Sequence, residues 1–167
     1  MTQLTYLNHY PDSIKQQVLQ LIEQNKLGAT LKRRYPQIHQ LGTDKALYQY
    51  TQAIKQQYLK QAAPLSKVIF DDKISLTHQA LGLHSYRPQV QGAKTKTKNE
   101  IRISARLKRV PEPLLRMVVV HEIAHLKEKD HNKSFYKLCC HMEPDYHQLE
   151  FDLRLLLTAI SINDNPY

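Results

Sequence analysis

The sequence predicts an α+β fold in a single domain over residues 1–167, and two observations favour this class. Apolar residues recur at helical spacing in the first and last parts of the chain, whereas the middle contains short runs typical of strands. The length suits one domain, and a hydrophobic fraction of 41% is enough to build a core. We therefore expect N-terminal helices, a small sheet and C-terminal helices.

Residues 1–64 are predicted to be helical. Asp12 and Ser13 are the candidate N-cap residues of the first helix, and Gln16 would complete a capping box with Ser13. Gly28 is predicted to end this helix, because glycine is favoured where a helix terminates. A second amphipathic helix is predicted to begin near Thr43.

The middle of the chain changes from helical to strand-like patterns. Residues 67–70 are apolar enough for a strand, and residues 101–107 begin with the alternation of one. Between them we expect a strand, a turn and an exposed loop. Three lysines alternate in this stretch, namely Lys94, Lys96 and Lys98.

The chain is predicted to return to helices after the second strand. Pro111 suits the first turn of a helix whose apolar run, residues 114–120, leads directly to His121. Asn132 is a candidate N-cap for the next helix, and a last helix is expected after Pro144.

The strongest functional signal is the motif H-E-x-x-H on the helix after Pro111. At 100° per residue, His121, Glu122 and His125 share one face, and two histidines four apart can bind one ion. Zinc would activate a water molecule there, and the Glu122 carboxylate would accept the proton. The alternative is a core helix that merely contains polar residues. The helix is apolar nearly all round, however, so three buried ionisable groups would be costly unless they bound a metal.

His131 is the candidate third ligand, and Glu143 is the alternative. For His131 to reach the ion, the chain must leave the helix after His125 and turn back. Asp130 is the residue expected to allow this reversal, because it tolerates left-handed backbone geometry better than most. Two further histidines are expected to be surface or core residues rather than ligands: His141 and His147.

The net charge of +9 is concentrated in the first part of the chain. Residues 1–110 contain 18 basic and 6 acidic residues, whereas residues 111–167 contain 6 basic and 9 acidic residues. This asymmetry indicates either an anionic partner, such as a nucleotide, nucleic acid, an acidic protein or a nucleic-acid-bound protein, or a basic surface that only confers solubility.

The remaining composition predicts a cytoplasmic protein. The two cysteines, Cys139 and Cys140, are adjacent and cannot build a disulfide framework. The first residues lack the basic and apolar regions of a signal peptide. No apolar run approaches the roughly 20 residues of a membrane span, so no membrane association is expected.

The sequence resembles the YgjP-like metallopeptidases, which are related to the SprT-like and WLM groups. The resemblance is carried by the following segments: 43–48, 80–84, 118–131, 132–135 and 139–151. The segment 81–85 departs from the wider family's W-G-S-C stretch, because it lacks the Trp and the Cys. The resemblance implies a zincin-like domain with its core in residues 65–167. It also implies zinc ligands at His121, His125 and His131, with Glu122 as the general base.

Four functions are compatible with this pattern. A zinc metallopeptidase would hold an extended peptide against an edge strand at residues 101–105. A metal-dependent pyrophosphatase would hydrolyse a nucleoside triphosphate such as UTP, a label also found in this group. Its phosphates would meet five basic side chains, unless these are only a solvated surface: Lys94, Lys96, Lys98, Arg102 and Arg106.

The third function is a zinc-dependent endoribonuclease. One RNA-processing family ends a similar motif with Asp-His, as Asp130 and His131 do, but has Gly in place of Glu122. The fourth is a binding module with structural zinc. Structural sites usually have four ligands and are rich in Cys, so three histidines and a general base argue against this reading.

Overall fold

The computed structural model describes residues 4–77, 88–91, 94–97 and 99–167, and for 88–91 and 94–97 it describes the backbone alone. Lys98 and the motif segment 80–84 lie outside the described residues, as do the side chains of Lys94 and Lys96.

The described part of the chain is a small domain that combines α-helices with short strands, which confirms the α+β class. The helices are α1 (Asp12–Glu23), α2 (Leu27–Arg34), α3 (Asp44–Tyr58), α4 (Glu112–Ala124), α5 (Lys133–Met142) and α6 (Tyr146–Ser161). The strands are β1 (Lys67–Asp71), β2 (Pro88–Gln91), β3 (Lys94–Thr97) and β4 (Glu100–Ser104). Two 3-10 helices cover Thr5–Leu7 and Ala105–Arg109. The division of the domain at residue 64 stays a prediction.

The start and end of α1 differ from the sequence prediction. The N-cap is Pro11, no side chain caps the helix, and Ser13 lies within its first turn, so the predicted capping box is wrong. The helix stops before Asn25, whose φ of 54° is left-handed. Asparagine tolerates this geometry because its short polar side chain can bond locally. Gly28 therefore does not end α1 but lies buried inside α2.

The start of α3 is confirmed. The Thr43 side chain accepts a hydrogen bond from the Ala46 backbone N–H at 3.2 Å, as expected of an N-cap. The first residue of the helix also reaches the sheet, since an Asp44 carboxylate oxygen accepts from the Phe70 N–H at 2.9 Å. This bond ties α3 to β1.

The strands form two separate pairs. Strand β1 runs parallel to β4 with Val68 opposite Ile101, and β2 runs antiparallel to β3 with Gln91 opposite Lys94. Lys94 thus begins a strand rather than lying in a loop. Strand β4 ends at Ser104, and the chain then enters the second 3-10 helix. Arg106 therefore lies beyond the strand on which the sequence placed it.

Helix α4 is the centre of the domain. It contacts α3, β4, α5 and α6, and ten of its 13 residues are buried. This confirms the burial expected of a helix that is apolar nearly all round. The buried residues nevertheless include His121 and Glu122, with exposed fractions of 4% and 5%. In the described residues, no helix has the length and apolar character that crossing a bilayer would require.

The close contact of α2 with the C-terminal segment predicts an effect of Gly28→Ala. A Cβ at Gly28 would lie 2.3 Å from the Asp164 carbonyl oxygen, so this backbone would have to shift. The Gly28 N–H also donates to the Asp164 carboxylate at 2.8 Å. We expect the variant to lose about 1–3 kcal/mol of unfolding free energy in chemical denaturation.

Gly42→Ala is the matched control, because the nearest atom to its Cβ is the Lys108 carbonyl oxygen at 3.9 Å. This is an ordinary contact, and we expect stability to be unchanged or slightly raised. Equal stability of the two variants would contradict the proposed close packing at Gly28.

Candidate metal centre

The fold brings together the three histidines that the sequence singled out. His121 lies in the last turn of α4, His125 caps its C-terminal end, and His131 follows the turn after it. One ring nitrogen of each lies within 4.8 Å of the others. His121 and His125 are buried and His131 is exposed, so the group is open to solvent on one side.

The chain reverses after α4 without left-handed geometry at Asp130, which corrects the sequence prediction. Among the described non-glycine residues, only Asn25 and Asn163 have a positive φ. The reversal begins where the Leu126, Lys127 and Glu128 N–H groups bond the carbonyls of Ile123 and Ala124. It ends at Asn132, whose side chain accepts from the Phe135 N–H at 2.9 Å. Asn132 is therefore the N-cap of α5, as predicted.

This turn also orients His125. Its Nδ1 lies 2.9 Å from the Glu128 carbonyl oxygen, which can only accept a hydrogen bond. Nδ1 therefore carries the proton, and Nε2 presents a lone pair to His131 Nε2 at 2.9 Å. A tetrahedral zinc with bonds of about 2.0–2.1 Å separates its ligand atoms by about 3.3 Å. The two nitrogens are thus placed to share one cation.

His121 is oriented by a different element. Its Nδ1 lies 2.7 Å from the hydroxyl oxygen of Tyr146, the first residue of α6. Both side chains are buried, with 4% of His121 and 1% of Tyr146 exposed. Tyr146 was missed as a site residue, because nothing in its spacing 25 residues beyond His121 marks it.

Phe135 packs against all three histidines. Its ring centroid lies 4.9 Å from that of His121, 4.6 Å from that of His125 and 4.9 Å from that of His131. Phe135 is fully buried, so this ring is a fixed surface against which the imidazoles are packed. The Asn132 cap that starts α5 also places this ring.

Glu122 is adjacent to His121 on α4 and is 5% exposed. The helix places the Glu122 side chain about 100° around the axis from His121. It also places Glu122 on the same face as His125, three residues later. A buried carboxylate beside two histidines can take a proton from a water molecule activated at the metal. This role stays a prediction.

The alternative ligand, Glu143, is held elsewhere. Its carboxylate lies 3.5 Å from the Arg116 guanidinium, and Arg116 also donates to the Met142 carbonyl at 3.1 Å. Among the described residues, the group of potential metal ligands contains only the three histidines. His141 packs its ring against Tyr58, and His147 packs its ring against Tyr136. Neither belongs to the group of potential metal ligands.

The basic residues are placed less uniformly than the sequence suggested. Arg102 donates to the Asp71 carboxylate at 2.8 Å and to the Glu100 carboxylate at 3.3 Å. The Lys73 N–H and the Arg102 guanidinium together lower the pKa of Asp71. The charge of Arg102 is thus matched by two carboxylates, whereas Arg106 is exposed on the 3-10 helix.

Comparison with known proteins identifies the family. The YgjP-like metallopeptidase domain matches residues 8–155. The chain belongs to the YgjP-like family. It is also 56% identical over 165 residues to an Escherichia coli (strain K12) protein named UTP pyrophosphatase, covering 99% of each chain. No solved structure matches the chain.

The residues present fit the metal that the YgjP-like family implies. Imidazole nitrogens are common zinc ligands, and three of them with one open position are typical of a catalytic rather than a structural site. The proton on His125 Nδ1 leaves Nε2 able to bind a cation. The protein is a metal-dependent hydrolase, and zinc at this group is our proposal.

The geometry predicts different metal losses for His131→Ala and Glu143→Gln. His131→Ala removes a nitrogen from the group, so we expect a large loss of zinc affinity, measured by chelator competition. Glu143→Gln changes a side chain that pairs with Arg116, so zinc affinity should be retained. Greater zinc loss in Glu143→Gln would move the third ligand to Glu143.

Proposed function

We propose that this protein is a zinc-dependent pyrophosphatase that hydrolyses a nucleoside triphosphate, with UTP as the first candidate. The observation that supports this most strongly is that His121, His125 and His131 converge on one point. The chain is also similar, over nearly its full length, to a UTP pyrophosphatase. The name of that relative supports the substrate, and the histidine group supports the metal.

The reaction needs little covalent chemistry from the protein. Water attacks the α-phosphorus, the bond from this phosphorus to the bridging oxygen breaks, and the products are a nucleoside monophosphate and pyrophosphate. When bound, zinc supplies a Lewis acid that activates water and neutralises charge on the phosphates. Glu122 accepts the proton that the attacking water loses. His121, His125 and His131 would hold the ion through their ring nitrogens.

The charge of the ligand set supports an anionic substrate. Three neutral imidazoles leave the double positive charge of the ion intact, whereas carboxylate ligands would reduce it. The basic half of the chain adds to this potential, since residues 1–110 have a net charge of +12. A triphosphate is therefore electrostatically favoured over a neutral peptide.

A zinc metallopeptidase is the second candidate, favoured by the H-E-x-x-H motif on α4 and by the family's metallopeptidase domain. Strand β4 contacts α4 and would hold an extended peptide by main-chain hydrogen bonds. An endoribonuclease is less favoured, because Glu122 stands where the similar RNA-processing motif has glycine. A protease of nucleic-acid-bound proteins would be one form of the metallopeptidase.

The substrate prediction is tested by incubating the zinc-loaded protein in parallel with UTP, with the other nucleoside triphosphates, with casein and with structured RNA. We expect release of pyrophosphate from UTP. Glu122→Gln should retain zinc and the fold but lose about 10²-fold or more in turnover, as expected when a general base is removed.

Pyrophosphate release is measured with an inorganic pyrophosphatase-coupled phosphate assay, and zinc content by elemental analysis. Cleavage of casein without hydrolysis of any triphosphate would replace the pyrophosphatase proposal with the peptidase. Near wild-type turnover in zinc-loaded Glu122→Gln would show that Glu122 is not the base.

The basic residues predict a salt-dependent substrate affinity. Replacing all three of Lys94, Lys96 and Lys98 by Gln should raise KM for UTP and flatten the dependence of KM on salt concentration. The reason is that the variant lacks the attraction between lysine and phosphate charges, which salt screens. Zinc content and thermal stability should not change. An unaltered salt response would mean that these lysines form only a solvated surface.

A further inference from the structure

Tyr146 is a buried phenol with two neighbours that can share its hydroxyl. His121 Nδ1 lies 2.7 Å from the hydroxyl oxygen on one side. On the other side, the hydroxyl interacts with the thiol of Cys139, a residue of α5 that is fully buried. The YgjP-like pattern includes both Cys139 and Tyr146, but the proposed chemistry uses neither.

The thiol of Cys139 and the phenol of Tyr146 are both neutral. Burial raises the pKa of the Cys139 thiol to about 12. Burial, and to a lesser extent Cys139, raises the pKa of Tyr146 as well. Both groups therefore stay protonated and neutral near pH 7.

The contact of Nδ1 with the Tyr146 hydroxyl leaves Nε2 as the nitrogen of His121 that can bind a cation. A neutral imidazole that binds a cation through Nε2 keeps its proton on Nδ1, and the Tyr146 hydroxyl oxygen can accept this hydrogen bond. This is the same assignment that the Glu128 carbonyl imposes on His125. His121 and His125 are thus both held with Nε2 available.

We propose that Tyr146 is a positioning residue that fixes the ring orientation and tautomer of His121 for metal binding. The inference rests on the metal centre of the proposed function but not on its substrate. The partner is neutral, unlike the carboxylate that often backs a ligating histidine. A neutral partner adds no negative charge to the site, which keeps the centre suited to an anionic substrate.

Tyr146→Phe tests the proposal, because it removes only the hydroxyl and keeps the ring. Tyr136→Phe is the matched control. Tyr136 lies in the same aromatic group, with its ring 6.2 Å from that of Tyr146, but among the described residues its hydroxyl bonds no histidine. We expect a 10- to 100-fold loss of zinc affinity in Tyr146→Phe alone, the usual effect of losing such a partner. Affinity is measured by chelator competition without substrate, so failure to hydrolyse UTP does not affect the result.

Nitrogen-15 NMR of the histidine rings in the zinc-loaded wild-type protein gives a second readout that needs no variant. We expect His121 to have a protonated Nδ1 and a zinc-bound Nε2, which supports the assignment even if Tyr146→Phe does not fold. Unchanged zinc affinity in folded Tyr146→Phe, or zinc bound to Nδ1 of His121, would overturn the proposal. An equal loss in Tyr136→Phe would also overturn it, because the effect would then come from general packing.

Discussion

The site depends on one constraint, which is that an apolar central helix buries polar side chains at its C-terminal end. Helix α4 contacts four other elements, and His121 and Glu122 are almost fully enclosed by them. Buried ring nitrogens must have hydrogen-bond partners or bind an ion. Because α4 itself is apolar around them, the known partners of its histidines come from the turn after it and from α6.

The supporting contacts have a common character. The Glu128 carbonyl and the Tyr146 hydroxyl are neutral, and Phe135 packs against all three rings without adding charge. Each of them orients a ring while leaving the positive charge of a bound ion undiminished. Glu122 is then the acidic side chain adjacent to His121 on α4, which suits the general base that we propose, because it would act on water rather than hold the metal.

The basic residues show why charge in the sequence is not the same as available charge. The sequence places Arg102 and Arg106 on one predicted strand, yet Arg102 bridges Asp71 on β1 and Glu100 on its own strand. Parallel pairing of β1 with β4 brings these carboxylates within reach. Arg106 lies in the following 3-10 helix and is exposed, so of these two arginines it is the better placed to attract an anion.

The sequence by itself determined the α+β class, the helix that contains His121 and His125, and the caps at Thr43 and Asn132. These features follow from local spacing and local hydrogen bonds. It did not determine the end of α1, the backbone of the reversal at Asp130, or the pairing of Glu143 with Arg116. Nor did it indicate Tyr146, because a hydrogen bond between residues 25 apart leaves no periodic signal. Only the packing of α5 and α6 against α4 decided which side chains meet the histidines.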